Sequence, residues 1–246
     1  MKRPHFYAVI IGTEILNGRR TDKHFEFVKG ALEARGHSLF ASLVIKDDAT
    51  LIANTFEMVR RDPAGVMFSF GGIGSTPDDL TREIAARVFT GKPTTRHERF
   101  ERDIIERFKE EAYPHRIHMA DLPEGADLLR NPVNNMSGFQ LEKRYFFMPG
   151  FPEMSHPMVE EALQRYYPTA AARYRLTLRA RTSENSLIHI MQSLPEHIEL
   201  SSLPMFIDGV PNVDISVASE SKQETQEWFR RFTDDLDARA IGYRLL

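Results

Sequence analysis

Cysteine is absent from the 246 residues. That excludes a disulfide framework, thiolate zinc sites, iron–sulfur clusters and a cysteine nucleophile, and it fits a reducing compartment. An excess of one charge is lacking too: 32 Lys and Arg oppose 35 Asp and Glu, for a formal net charge of −3. No global field therefore draws the chain to nucleic acid or to an anionic membrane. Long apolar runs are also missing. The N-terminal MKRPHFYAVII stretch carries His5 and stops at Gly12, short of the roughly 20 residues a membrane span needs and poor as a signal peptide. The expectation is a cytoplasmic protein with no membrane or nucleic-acid partner. What is present, 41% hydrophobic and 27% charged residues, is ordinary globular composition, enough for one large domain with a smaller one.

The first two thirds alternate strand-like and helix-like segments. Phe6–Ile11, Leu39–Ile45 and Val66–Phe70 are apolar runs of strand length, and the first and third end at glycine. Continuous apolar character is the pattern of a strand covered on both faces. Between them, Thr21 or Asp22 caps a helix carrying Phe25, Val28 and Leu32 up to Gly36. Asp48 opens a second with Leu51, Ile52, Phe56 and Val59, and a third runs from Leu80 to Phe89. A charged helix is expected over Glu98–Ala112, a long loop over Tyr113–Gly125, and short strands at Leu128–Leu129, Gly138–Leu141 and Tyr145–Met148. A last helix follows Pro152, and a linker falls at Tyr166–Ala172. This order predicts a three-layer α/β domain with a mostly parallel sheet over 1–168. Over 173–246 the order changes to strand, helix, strand, strand, helix, strand, which predicts a small α+β, ferredoxin-like domain, expected to oligomerise.

Two turns carry most of the chemical signal. One is Gly12-Thr13-Glu14-Ile15-Leu16-Asn17-Gly18, directly after the first strand. The other is Gly71-Gly72-Ile73-Gly74-Ser75-Thr76-Pro77-Asp78-Asp79, directly after the third. Ligands of open α/β sheets bind at the carboxyl ends of strands, where strand order reverses. Glycines let the backbone come close to a phosphate, and free N–H groups suit an anion. Neither turn is a P-loop or a dinucleotide fingerprint. Asp78 and Asp79 either cap the following helix or share a divalent cation, Mg²⁺, Mn²⁺ or Co²⁺, with substrate phosphates. Glu14 is placed to add a ligand or act as general base.

These two turns together resemble the molybdopterin-binding, MoaB/Mog-like domain, and more narrowly the N-terminal part of the CinA, competence-damage-inducible, family. That family reads approximately Gly-Asp-Glu-Leu/Ile-Leu-x-Gly and Gly-Gly-Leu-Gly-Pro-Thr-x-Asp-Asp-x-Thr. Asn131-Pro132-Val133-Asn134-Asn135-Met136-Ser137-Gly138-Phe139 and Met148-Pro149-Gly150-Phe151-Pro152-Glu153-Met154 resemble two further family segments. The resemblance covers Ala8–Pro157 well and Ser201–Pro204, in a KH-like second domain, more weakly. It implies a nucleotide or pterin ligand: either metal-dependent hydrolysis of a nucleotide pyrophosphate such as ADP-ribose or FAD, or binding or adenylylation of molybdopterin. By position, Gly71, Gly72, Gly74, Ser75 and Thr76 would cradle phosphate and Asp78 and Asp79 would hold metal or activate water. Gly12, Glu14, Asn17 and Gly18 would line the opposite wall, with Asn131 and Gly138 on the substrate side. The chain departs from the pattern at Thr13, at Ser75, at Asn134, Met136 and Ser137, and by one residue at Glu153. These departures leave a catalytically silent binding protein as a third reading. No segment resembling the family's C-terminal amidohydrolase domain follows, so deamidation of a nicotinamide nucleotide is not expected.

Remaining chemistry-bearing residues read more plainly. His115-x-x-His118 has loop spacing without an acidic partner at helical offset, so a solvated loop outweighs zinc. His24 either meets the ligand or lies on the surface. Arg19-Arg20 either neutralises phosphates or is solvated. Trp228, Phe229 and Phe232 fall at helical spacing as core, and no Gly-x-x-Gly of an RNA-binding KH loop follows Arg175.

Overall fold

In the computed structural model, residues 3–169 and 173–246 are described. Ala170–Ala172 of the expected linker, and Met1 and Lys2, lie outside them. The chain divides into two compact units, Met1–Ala170 and Ala171–Leu246.

The first unit runs β1 (His5–Ile11), α1 (Thr13–Leu16), α2 (His24–Glu33), β2 (Leu39–Ile45), α3 (Ala49–Arg61), β3 (Gly65–Phe70) and α4 (Thr81–Ala85), which continues as a π turn over Ala86–Thr90. Then come β4 (Thr95–Arg96), α5 (Glu98–Phe108), 3-10 turns at Lys109–Ala112 and Arg116–Ala120, and β5 (Asp121–Leu122). β6 (Asp127–Leu129), β7 (Gly138–Leu141), β8 (Tyr145–Met148) and α6 (Pro152–Tyr166) complete it.

Six of these strands form one mixed sheet in the order β2-β1-β3-β8-β7-β6. The β1–β2, β1–β3 and β3–β8 ladders are parallel, and β7 pairs antiparallel with both its neighbours. The period of two divides the apolar runs between two cores. Phe6, Ala8, Ile10, Phe68, Phe70, Phe146 and Met148 pack under α2 and α6. Tyr7, Val9, Ile11, Met67, Tyr145 and Phe147 face α3, α4 and α5. Phe6, Phe68 and Phe146 stack in series across the first face, with ring centroids 6.1 and 5.3 Å apart. Helices on both faces make three layers.

Local chemistry explains the element starts. Asp48 accepts the Leu51 N–H at 2.8 Å at the start of α3, and Asp22 accepts the N–H groups of His24 and Phe25 ahead of α2. The charged helix is shorter than expected, because Lys109 takes φ 52 and turns the chain after Phe108. The segment Tyr113–Gly125 is not a bare loop. It folds back through the second 3-10 turn and pairs β5 antiparallel with β4.

The second unit contains β9 (Tyr174–Ala180), a 3-10 turn at Glu184–Leu187, α7 (Ile188–Met191), β10 (Glu199–Ile207), β11 (Val210–Ser219), α8 (Lys222–Ala238) and β12 (Tyr243–Leu245). Its antiparallel sheet has the order β10-β11-β9-β12, the ferredoxin-like arrangement. β10 and β11 outrun the expected strands because Asp208 and Gly209, with φ 51 and 76, make a tight hairpin turn beyond Pro204. Phe229, Phe232 and Leu236 of α8 are core, with Trp228 packed against them. Among the described residues, no helix is long and apolar enough to cross a membrane.

Candidate functional site

The sheet order creates the site. The chain leaves β1 toward β2 on one side and returns to β3 on the other, so the loops after β1 and β3 diverge around a crevice at the strands' carboxyl ends. A cleft of about 790 Å³ lies there, walled by Ile11 and Glu14 after β1, Gly71–Thr76 with Asp78 and Asp79 after β3, and Pro149–Phe151 after β8. The two turns singled out in the sequence therefore face one cavity.

The glycine loop is built from within. Gly71 and Gly72 take φ 99 and 68, and a Cβ on Gly71 would stand 2.3 Å from the Ile11 carbonyl oxygen. Only glycine fits there. The Asp79 carboxylate accepts the Gly74 N–H at 2.8 Å, the Thr76 N–H at 2.7 Å and the Thr76 hydroxyl at 2.6 Å. From behind, the buried Arg82 donates to the Gly74 carbonyl. Burial lowers the Arg82 pKa, and the nearby Asp79 charge opposes that shift. With Asp79 so engaged, no hydrogen bond within the protein takes up the N–H groups of Gly72, Ile73 and Ser75 among the described residues. Successive free N–H groups on a glycine turn make an anion-binding concavity.

Asp78, in contrast, is exposed. The Thr76 hydroxyl, whose hydrogen bond runs to Asp79, also lies near enough to hold the Asp78 carboxyl below the usual carboxylate range. Its own backbone N–H acts in the same direction, so Asp78 is ionised at neutral pH. The paired-carboxylate metal site expected at Asp78 and Asp79 meets a difficulty. Asp79 has given its carboxylate to three donors in its own loop, and no group of three or more His, Asp or Glu side chains able to hold a metal exists among the described residues. Asp78 alone is too few protein ligands for a resident divalent cation. The donor set does not fit a built-in metal.

On the opposite wall, Glu14 lines the cleft in an ion pair with Arg20 at 3.6 Å. Arg20 in turn lies over the Phe151 ring, 5.3 Å from its centroid. Arg19 and Arg20 both line the cleft. Gly12, Asn17 and Gly18, expected on this wall, do not line the cleft: Gly12 is buried, and Asn17 and Gly18 are exposed. Asn17 accepts from the N–H and Nε of Arg19, and so orients that side chain. Asn131 and Gly138 do not line the cleft either. Asn131 is fully buried, donating to Asn134 Oδ1 at 2.7 Å and the Met136 carbonyl at 3.1 Å, while accepting the Val133 N–H. Gly138 lets β7 approach Phe147. Between them they shape the loop whose Asn134, Met136 and Ser137 reach the cleft. His24 is neither ligand-facing nor exposed: it is buried, stacked on Phe70 at 4.2 Å. His118 does have an acidic partner at helical offset, contrary to the sequence reading: Asp121, three residues on, lies 2.8 Å from it on the surface.

Several lining residues escaped the sequence reading. Asp47 accepts the Thr13 N–H and hydroxyl at 2.8 and 2.9 Å and so fixes the first turn. It directly follows the loop end of β2, a strand parallel to β1, so the same carboxyl-end rule points to it. Phe100, Phe108, Arg116 and Met119 come from α5 and the 3-10 turn folded back beside it, and nothing in their spacing signals a cavity.

Residues 7–169 match the family model described as "Probable molybdopterin binding domain". Among curated relatives, a CinA-like protein of Citrifermentans bemidjiense is 34% identical over 62% of this chain and 38% of its own length. The chain thus spans about two fifths of that relative. A protein of Caldivirga maquilingensis is 27% identical over 95% of this chain and 96% of its own length. The crystal structure of CinA from Thermoplasma acidophilum is 25% identical with a TM-score of 0.58, covering 66% of this chain and 97% of that one. By its match over two thirds of the sequence, this chain belongs to the molybdopterin-binding domain family, and several of its curated relatives are CinA-like proteins.

Proposed function

We propose that the cleft binds a nucleotide- or pterin-type small molecule through its phosphates. The observation that carries this reading is the Gly71–Asp79 loop, whose N–H groups at Gly72, Ile73 and Ser75 stand free because Asp79 and Arg82 hold the loop open from behind. Arg19 and Arg20, on the facing wall, supply positive charge for the same anion. The cleft also holds four carboxylates, Glu14, Asp47, Asp78 and Asp79. Anion binding there depends on these local donors and not on the overall field. Titration calorimetry with inorganic pyrophosphate and with ADP-ribose tests it. Wild type binds both, and Ser75→Asp, which sets a like charge against the phosphate on a partly exposed residue, abolishes binding. Wild type with no heat for either probe contradicts the reading.

Hydrolysis of a pyrophosphate in that ligand is a separate step, supported by one observation: the exposed Asp78 carboxylate at the cleft, held in its ionised form by the Thr76 hydroxyl and its own backbone N–H. Since the residues do not make a resident metal site, any divalent cation would enter with the ligand's phosphates. Incubation with ADP-ribose or FAD and Mg²⁺, Mn²⁺ or Co²⁺, followed by detection of AMP, decides it. Release of AMP that is lost in Asp78→Ala supports hydrolysis. Tight binding without release supports a binding or adenylyl-transfer role in pterin chemistry.

A further inference from the structure

Resting on the phosphate reading, we propose that the α5 side of the cleft is a stacking platform for a planar nitrogen heterocycle on the same ligand, with Arg116 as the residue that selects the ring. Phe108 ends α5, and the chain turns back so that the Arg116 guanidinium lies over the Phe108 ring, 4.6 Å from its centroid. Two bonds fix the guanidinium: Nη1 donates to the Glu111 carboxylate at 2.6 Å and to the Glu111 carbonyl at 3.2 Å. Arg107, which does not line the cleft, lies 5.4 Å over the same ring. Phe108 and Arg116 both line the cleft, so the paired guanidinium and ring form part of its wall. The neighbouring cleft walls are apolar, from Phe100, Met119 and Met136.

This arrangement is poorly matched to a phosphate. With Nη1 engaged by Glu111, the guanidinium has fewer donors left for an anion, while its planar face still stacks on heteroaromatic rings. The cavity, about 790 Å³, is within the upper part of the range of about 300–1,000 Å³ for sites that enclose a whole small ligand. One cleft thus carries a polar N–H loop and a guanidinium–aromatic pair set among apolar side chains, the two halves needed for a phosphate joined to a purine, pterin or flavin ring. The platform favours a neutral ring and disfavours a cationic one, since the face it presents is itself positive.

The test separates ring from phosphate. Affinities of the full chain are measured for inorganic pyrophosphate, ADP-ribose and FAD, in wild type, Arg116→Lys and Phe108→Leu. Lysine keeps the charge and removes the plane, and leucine keeps apolar volume and removes the ring. Wild type is expected to bind the ring-bearing ligands at least tenfold more tightly than pyrophosphate, and each variant to lose about tenfold for them with less than a twofold change for pyrophosphate. A wild type that binds all three equally overturns the platform while leaving the phosphate loop standing. Variants that leave the ring-bearing ligands unaffected, or that weaken pyrophosphate by the same factor, overturn it too. A wild type that binds no probe overturns the phosphate reading and the platform with it. An equal loss for ADP-ribose and FAD assigns their shared adenine to the platform, and a greater loss for FAD a flavin-type ring.

Discussion

Replacing Asp79 by alanine removes the acceptor for three hydrogen bonds that hold the glycine loop: those from Gly74 N–H, Thr76 N–H and the Thr76 hydroxyl. A hydrogen bond to a charged group contributes about 1.5–3 kcal/mol when well shielded. Thr76 is exposed and Asp79 half-buried, so water recovers much of this, and the three bonds together reduce to about 2 kcal/mol. A second cost adds to it. Arg82 is buried, and Asp79 is the first of the charges that support its ionised form. Loss of that partner leaves a buried guanidinium held by the Gly74 carbonyl and the more distant charges of Asp121 and Glu83. The expected total is about 2–4 kcal/mol, or a fall of roughly 4–16 °C in the unfolding midpoint for a unit of this size. Asp78→Ala, one residue away but exposed, changes stability by less than about 0.5 kcal/mol. Thermal unfolding followed by circular dichroism reads both. Equal effects of the two substitutions, or a larger one at Asp78, would refute the assignment of Asp79 as the strut of the loop.

Other substitutions probe different parts of the account. Gly71→Ala forces a Cβ to 2.3 Å from the Ile11 carbonyl at φ 99, whereas Gly18→Ala, at φ 76, meets open space. The first should cost about 3 kcal/mol or more and the second about 1 kcal/mol, read as denaturation midpoints at unchanged slope. Asn131→Ala leaves the Met136 carbonyl and the Val133 N–H without their partner and takes one of two donors from the Asn134 amide oxygen, which keeps the Met136 N–H, a loss of about 1–3 kcal/mol. It should also weaken ligand binding through the 131–137 loop, although Asn131 itself does not line the cleft. Burial lowers the pKa of both His24 and His156 below the ordinary 6.5. They are neutral when folded and take up protons when unfolded, so stability is full above pH 6.5 and falls as pH drops below it. Asp78, lowered from 3.8, also costs stability on acidification, but only below pH 3.8. His24→Gln should therefore flatten the pH dependence just below 6.5, and a slope identical to wild type there would contradict the histidine assignment.

Much of this was legible in the sequence, for reasons that differ between elements. β1 and β3 were readable as short apolar runs because a strand in the interior of a parallel array must be apolar on successive residues, whereas β2, also an apolar run, is an edge strand with only Ile45 buried, and helix starts were readable where an aspartate capped them. The two glycine turns could be brought together by topology alone, since only one crevice exists where strand order reverses. The 98–122 segment was not readable as a cleft wall. Its apolar residues have helical spacing and belong to the helix, and the turn that lays Arg116 on Phe108 depends on the conformation of Lys109, a residue with no turn preference. Asn131 and Asp79 show another limit. A polar side chain in a motif looks the same in sequence whether it faces ligand or satisfies its own loop's N–H groups, and here both spend their hydrogen bonds on the loops. His24 differs again, being buried by stacking on Phe70 from the next strand but one, a contact that no local pattern predicts.

The central claim is that phosphate binds on the free N–H groups of the Gly71–Asp79 loop. A crystal structure of the full chain soaked with ADP-ribose tests it most directly. The expected result is pyrophosphate density within hydrogen-bond distance of the N–H groups of Gly72, Ile73 and Ser75. Ligand bound elsewhere on the chain, or a cleft that stays empty at saturating ligand, would contradict it.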